Sequence, residues 1–387
     1  MTEKTPRAWH GHPLWLVGFR PFFLLASAAA VVLPPIWVLL LTGKLTPPAG
    51  LSPMTWHAHE MFFGFGFAVL GGFLLTATKN WVSVRGHFGR TLQFLVAAWV
   101  FERAGMWWGG SWPSWLRLSS LNLFTLSLVG AIWWTLLRYR KKDSYRDNFL
   151  FLVALPVFLA ARALLLDPAH FAEGRDVTLA IFRLAFLVML ERTLTPFMKS
   201  AFQLTLPRRA AIDFPIKGLA LVLIGAPWMP PLLRQGAAWL LAGLIVVRFF
   251  TWSPHRAFRR IDLAVMYLGM LSIAAQLALD ASGTQWVGSM GLHVFTFGAM
   301  GLIIPAMLLR IGLGHTGRPV AFERRDRLVL WVMVVAFGAR IIAPQLAPAL
   351  YQQWLWTSAL AWMLGFAMTG VRLAPLLLAE RIDGREH

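Results

Sequence analysis

The chain has 387 residues, of which 58% are hydrophobic and only 14% charged, where an ordinary soluble domain carries about 25% charged residues. That balance excludes a water-soluble fold. The absence of cysteine excludes disulfides, thiolate nucleophiles, CxxC redox pairs, cysteine-ligated iron–sulfur clusters and haem attached through CxxCH, so any metal must be held by histidine, methionine or carboxylate. The formal charge of +19 would suggest nucleic acid in a soluble protein, and its meaning here depends on where the charges lie.

A membrane span needs about 20 mainly apolar residues. Stretches of that kind fall at residues 21–42, 54–77, 91–108, 116–137, 148–166, 177–198, 216–230, 236–251, 263–279, 286–311, 328–347 and 354–378. They predict an all-α polytopic membrane helix bundle of about twelve helices in a single domain, 1–387. Pro227, Pro230 and Pro231 crowd the junction of the seventh and eighth stretches. The first stretch follows a basic start and ends in Leu41-Thr42-Gly43-Lys44 without a small-x-small cleavage pattern, so it reads as an anchor rather than a signal peptide. No internal repeat and no long low-complexity linker stands out.

With the N-terminus inside, the inner segments carry Lys4, Arg7, Arg20, Lys79, Arg85, Arg90, the group Arg138 to Arg146, Lys199, Arg208, Arg209 and Lys217, and further arginines through Arg385. The outer loops carry Lys44, Arg175 and Arg234. The positive-inside rule then places both termini in the cytoplasm. It also accounts for the net charge without nucleic acid.

Most histidines fall in tails or inner loops: His10, His12, His87, His255, His315 and His387, with His170 in an outer loop. His57, His59 and His293 fall inside spans that start outside. They lie about 5 to 10 Å below the outer surface at the helical rise, and this common depth predicts a shared site. His57 and His59 stand about 200° apart on a regular helix, so one ordinary metal ion cannot easily take both, whereas two cofactors on opposite faces could. Met54, His57 and Met61 share a face, with Glu60 at i+3 from His57, and imidazole with thioether suits copper. The alternative is that the histidines bond across helices and the methionines pack. The run Phe62-Phe63-Gly64-Phe65-Gly66-Phe67 offers an apolar wall with bare backbone, which serves a flat ligand or a packed helix equally well.

Arginine inside a span faces a partner or a cavity. Arg103, Arg162, Arg183 and Arg340 lie in the outer halves of their spans, where haem propionates or internal carboxylates such as Glu102 are both available counter-ions. Glu60, Glu102 and Glu191 are the intramembrane acids, readable as a proton path or as charge compensation. No GxxxxGK[ST] loop, HExxH helix or GxSxG elbow is present.

Gly18-Phe19-Arg20-Pro21-Phe22-Phe23, Trp56-His57-Ala58-His59-Glu60-Met61, Gly72-Phe73-Leu74-Leu75-Thr76-Ala77 and Leu313-Gly314-His315-Thr316-Gly317-Arg318-Pro319 together resemble the signature segments of the NnrS family, in order and over most of the chain. The resemblance implies a multi-pass protein of the bacterial inner membrane that contains haem b and copper and acts in nitric oxide metabolism or nitrosative-stress protection. It implies metal or cofactor roles for His57, His59 and His293, and a weaker one for His315. The arginines Arg103, Arg183 and Arg340 then read as cofactor-binding. The partners expected are the lipid bilayer, nitric oxide or a similar small ligand, and a respiratory electron donor, with no nucleic acid. The chain departs from the family pattern at Lys79, where proline is expected, and at Leu190-Glu191-Arg192, where a glycine-rich run is expected. The His-x-His pair is also similar, at motif level only, to the helix pair of haem-copper oxidases and nitric oxide reductases. A secondary transporter of a metal or small anion is the competing class, for which Pro34-Pro35 and the prolines near 227 would supply broken helices.

Overall fold

Backbone in hydrocarbon has to satisfy its own N–H and C=O groups, and an α-helix does so within one segment. The computed structural model describes residues 11–48, 50–145 and 148–386, and among them finds helix and no strand. Lys4, Arg7, His10, Arg146 and His387 lie outside the described residues. The helices are α1 (Phe19–Leu41), α2 (Pro53–Trp81), α3 (Arg90–Trp108), α4 (Ser114–Arg138), α5 (Phe149–Leu166) and α6 (Phe171–Phe202). They continue with α7 (Ala210–Trp228), α8 (Pro231–Thr251), α9 (Ile261–Ser282), α10 (Met290–Gly314), α11 (Arg324–Leu346) and α12 (Pro348–Leu378). Each predicted stretch falls on one of these.

Ten of the helices are long and apolar enough to cross a membrane. The other two, α3 and α6, are helical but carry charge in their apolar middles, Glu102 and Arg103 in one, Arg183, Glu191 and Arg192 in the other. The crowded prolines resolve as sequence reasoning allows: α7 tightens into a 3₁₀ turn at Leu223–Trp228 across Pro227, and α8 begins with Pro231 in its first turn, where its missing N–H costs nothing. Pro34, Pro35, Pro156, Pro196, Pro215, Pro305 and Pro375 lie inside helices.

The chain clusters into two compact units. The first comprises the residues up to Gly174, Leu308–Ala321 and the residues from Phe366 onward; the second comprises Arg175–Met307 and Phe322–Gly365. Glycines bring the helices of the first unit together. A Cβ on Gly71 would meet Leu128 at 2.5 Å, one on Gly72 would meet Phe22 at 2.8 Å, and one on Gly105 would meet Ser120 at 2.0 Å, so α2 closes on α1 and α4, and α3 on α4, as small residues permit in membranes. In the second unit, Gly269 of α9 takes Ile303 of α10, and Gly301 of α10 takes Trp362 of α12.

Among the ten helices long and apolar enough to cross a membrane, α2 and α10 are the most buried, with 83% and 78% of their apolar windows inside the protein. Both contain a π-helical stretch, Glu60–Gly66 in α2 and Val294–Gly301 in α10. Side chains beyond these stretches therefore depart from α-helical register relative to the histidines that precede them.

Candidate functional site

The start of α2 is fixed by a cap. Ser52 Oγ accepts the Thr55 N–H at 3.0 Å, and Pro53 occupies the first turn. His57 and His59 both precede the π stretch, so the opposed faces expected of them are realised. His57 stacks on Trp37 of α1, with ring centroids 4.2 Å apart and an interplanar angle of 15°. His59 is fully buried on the side of α3 and α5. Met54 is 50% exposed.

His59 stands between two carboxylates. Its Nδ1 donates to Glu60 Oε1 at 3.3 Å, while Nε2 is 3.5 Å from Glu102 Oε1 and makes no hydrogen bond. Glu102, itself fully buried, accepts from Arg162 Nε at 3.1 Å, and Arg162 Nη1 continues to Asn122 Oδ1 at 3.1 Å. Arg103 pairs with Glu60 Oε2 at 3.2 Å and Glu102 Oε2 at 3.3 Å. Two carboxylates thus meet two guanidiniums, a balance that buried charges require. Glu60 pairs with His59 and Arg103. Internal carboxylates, one of the two kinds of counter-ion open to Arg103, thus lie beside it.

Gly64 makes this possible. An added Cβ there would stand 2.5 Å from Arg103 Nη1 and 3.0 Å from Glu60 Oε2. Its carbonyl accepts from Trp99 Nε1 at 2.9 Å, and the Arg103 guanidinium lies 5.2 Å from the Trp99 ring centroid. The glycine read as a place for a flat ligand or a helix is here filled by an arginine.

His293 lies in the second unit. Its Nδ1 is 2.9 Å from the Ser289 carbonyl, which can only accept, and 3.0 Å from Ser289 Oγ. Arg340 Nη2 stands 3.3 Å from the same nitrogen. Arg340 Nη2 donates to Ser289 Oγ at 2.8 Å and stands 3.5 Å from His293 Nε2. Arg183, in the same unit, donates to Gln276 Oε1 at 2.7 Å. Ser289 and Gln276 escaped sequence reasoning, although the Ser-x3-His spacing, one helical turn, was a usable signal.

The family described as NnrS protein matches residues 13–381. The chain belongs to the NnrS family. No curated protein and no solved structure matches it.

Three of the four NnrS signature segments meet at the Phe19 end of the first unit. Phe19 N donates to Thr76 Oγ1 at 3.0 Å, a Cβ on Gly18 would meet Leu75 at 2.4 Å, and the Phe19 and His315 ring centroids are 5.4 Å apart. Arg20, fully buried, donates from Nη1 to the carbonyls of Leu377 at 2.9 Å and Ala379 at 2.7 Å, closing the C-terminal end of α12. Residues beyond α12 fold back: Arg381 Nη1 donates to His315 O at 2.9 Å, and Ile382 N donates to Thr316 O at 3.2 Å. Gly317, with φ +81°, leaves room for Asp383.

Burial, with the cations of Lys79, Arg381 and Arg20 nearby, lowers the His315 pKa to about 4. The Phe19–His315 contact and the Trp37–His57 contact are 18 residues apart along α1, about 27 Å at the helical rise. The structure therefore does not bring His315 to His57. His87 is also held below its usual range by burial, within 3.0 Å of Thr135 Oγ1, whereas the exposed His170 is raised by Asp167 at 2.8 Å.

Glu191 meets cations that lie far from it in sequence. It accepts from Arg208, from Lys217 Nζ at 3.1 Å and from Arg248 Nη2 at 3.2 Å, and Asp213 joins through Arg248 at 2.6 Å. Asp213 was missed because it lies near the start of α7, where an acid reads as a first-turn residue.

Proposed function

We propose that this NnrS protein is a haem- and copper-containing protein of the bacterial inner membrane that binds or transforms nitric oxide, near the periplasmic side, in nitric oxide metabolism or nitrosative-stress protection. The observation that carries the reading is His59: a wholly buried imidazole whose Nδ1 is engaged by Glu60 and whose Nε2 makes no hydrogen bond. A ligating histidine almost always gives its other ring N–H to a carboxylate or carbonyl, which fixes the tautomer and orients the ring. At His293 the Ser289 carbonyl is the Nδ1 acceptor, while Nε2 faces Arg340. His59 fits a metal-centred cofactor at Nε2.

A histidine-held b-type haem supplies ferrous iron able to take a diatomic ligand, and copper supplies a second redox site. The remaining work falls to the chain. Glu60 orients His59, and Arg103 and Arg162 hold the charge of Glu102. His57, on the opposite face against Trp37, would hold copper, with Met54 three residues before it and Met61 four residues after it. Arg183 and Arg340 supply guanidiniums for haem propionates, whereas Arg103 is committed to Glu60 and Glu102. An apolar gas reaches such a site through the bilayer without a polar channel.

Replacing His57 and His59 together by Gln should abolish haem retention in the purified protein. Full haem occupancy in that variant would overturn the assignment.

A further inference from the structure

His315 takes no part in the site built on His59, and it stands near Lys79, the residue at which the chain departs from the family pattern. Lys79 lies in the last turn of α2, and the loop that follows wraps its stem. Val84 N donates to the Lys79 carbonyl at 2.9 Å, and a Cβ on Gly86, whose φ is +79°, would meet Lys79 Cβ at 2.9 Å and Cδ at 3.1 Å. Lys79 is only 9% exposed, and among the described residues its ammonium makes no hydrogen bond and no ion pair. The carbonyl end of a helix suits a cation, but a charge taken out of water is costly unless something pairs with it.

Three other segments of the first unit meet around it. Arg85, in the loop after α2, lies 3.8 Å from the Phe88 ring centroid and donates from Nη2 to Glu386 Oε1 at 2.6 Å, while its buried Nε has no hydrogen-bond partner among the described residues. Arg381, beyond α12, gives Nη1 to the His315 carbonyl and Nε to Asp383 Oδ1, each at 2.9 Å. Arg85, Arg381 and Glu386 are the charges that act on Lys79, and Lys79, Arg381 and Arg20 are those that act on the His315 ring. That ring is half-buried, lies against Phe19 and makes no side-chain hydrogen bond among the described residues. As a neutral imidazole it offers one N–H donor.

Glu386 answers Arg85 and Asp383 answers Arg381, whereas Lys79 has no carboxylate of its own, and Arg20 is engaged by the carbonyls of Leu377 and Ala379. The cluster is short of one negative charge. We infer that Lys79, the ring N–H of His315 and the neighbouring Arg85 form a binding site for a phosphate group at the Phe19 end of the first unit. Donors arriving from separate chain segments suit the several oxygens of a tetrahedral oxyanion better than the flat edge of a carboxylate. A phosphodiester carries the single charge that is missing. Lys79 lies at the end of a span, and basic pockets between membrane helices on the side where Lys and Arg collect take lipid head groups. The same chemistry is offered by the head group of an anionic lipid and by a free phosphate. The inference stands apart from the cofactor reading, since none of these residues belongs to the His59 cluster.

The test is thermal unfolding and native mass spectrometry of the delipidated, detergent-purified protein as wild type, Lys79→Met and Lys79→Arg. Sodium phosphate is compared with sodium chloride at matched ionic strength, and phosphatidylglycerol with zwitterionic phosphatidylcholine. The wild type is expected to melt higher with phosphate or with phosphatidylglycerol than with its control. Lys79→Met should bind at least about tenfold more weakly, as the loss of one charge-assisted hydrogen bond implies, and Lys79→Arg should keep most of the binding. A response to inorganic phosphate identifies a free phosphate as the ligand, and a response to phosphatidylglycerol alone identifies the lipid head group. Equal affinity in Lys79→Met would overturn the inference. A wild type that responds to neither would overturn it as well, and that result decides even if a variant fails to fold.

Discussion

The Arg103 guanidinium fills the space that a side chain at Gly64 would occupy, with Nη1 2.5 Å from the position of an added Cβ. Arg103 is pinned by Glu60 and Glu102, so it cannot swing aside without leaving Glu60 short of a cation, whereas Glu102 keeps Arg162. Gly64→Ala is therefore expected to cost about 1–3 kcal/mol of stability, as overpacking in a core does, and to lower haem retention because Glu60 no longer holds His59. Thermal unfolding and haem content of the purified variant check this; unchanged values for both would show that the cluster tolerates the methyl group.

Glu191 is the common acceptor of Arg208, Lys217 and Arg248. Breaking a buried ion pair by removing one partner costs about 3–5 kcal/mol, so Glu191→Gln should lower the melting temperature sharply. A residue serving only a proton path would leave the melting temperature where it was and slow turnover instead, and the two readouts separate these roles.

Arg20 closes α12 through two carbonyls. Each hydrogen bond to a charged group is worth about 1.5–3 kcal/mol, and Arg20→Met removes both while keeping an apolar stem. Hydrogen–deuterium exchange should rise in residues 376–386 of that variant before it rises in α2. Uniform exchange across the chain would contradict a local clasp.

His315 gives stability a direction in pH. Its pKa falls from the usual 6.5 to about 4 through burial and the neighbouring cations. Between those values the unfolded chain binds a proton that the folded chain refuses, so stability falls as pH drops through this window and is fully present above it. His315→Gln should flatten the dependence of melting temperature on pH between about 4 and 6.5; a slope unchanged by the substitution would assign it to another group.

The helices were legible because apolar runs of the required length are forced by the bilayer, and Trp37 against His57 with Glu102 against His59 bears out the opposed faces read from spacing. Register along Glu60–Gly66 was not legible, since a π turn leaves no residue of its own to announce it. The partners of Arg103 and Glu191 come from helices distant in sequence, which spacing along one helix cannot reveal. The segments Gly18–Phe23, Gly72–Ala77 and Leu313–Pro319 identified the family and turned out to pack one end of the first unit.

The most direct test of a gas-reactive cofactor at the buried imidazoles is the reduced-minus-oxidised absorption spectrum of the detergent-purified protein, recorded before and after adding nitric oxide. Iron and copper are counted on the same sample. A b-type haem spectrum that shifts with nitric oxide, accompanied by both metals, is the expected result. Protein expressed with adequate haem and copper that carries neither metal would contradict the account.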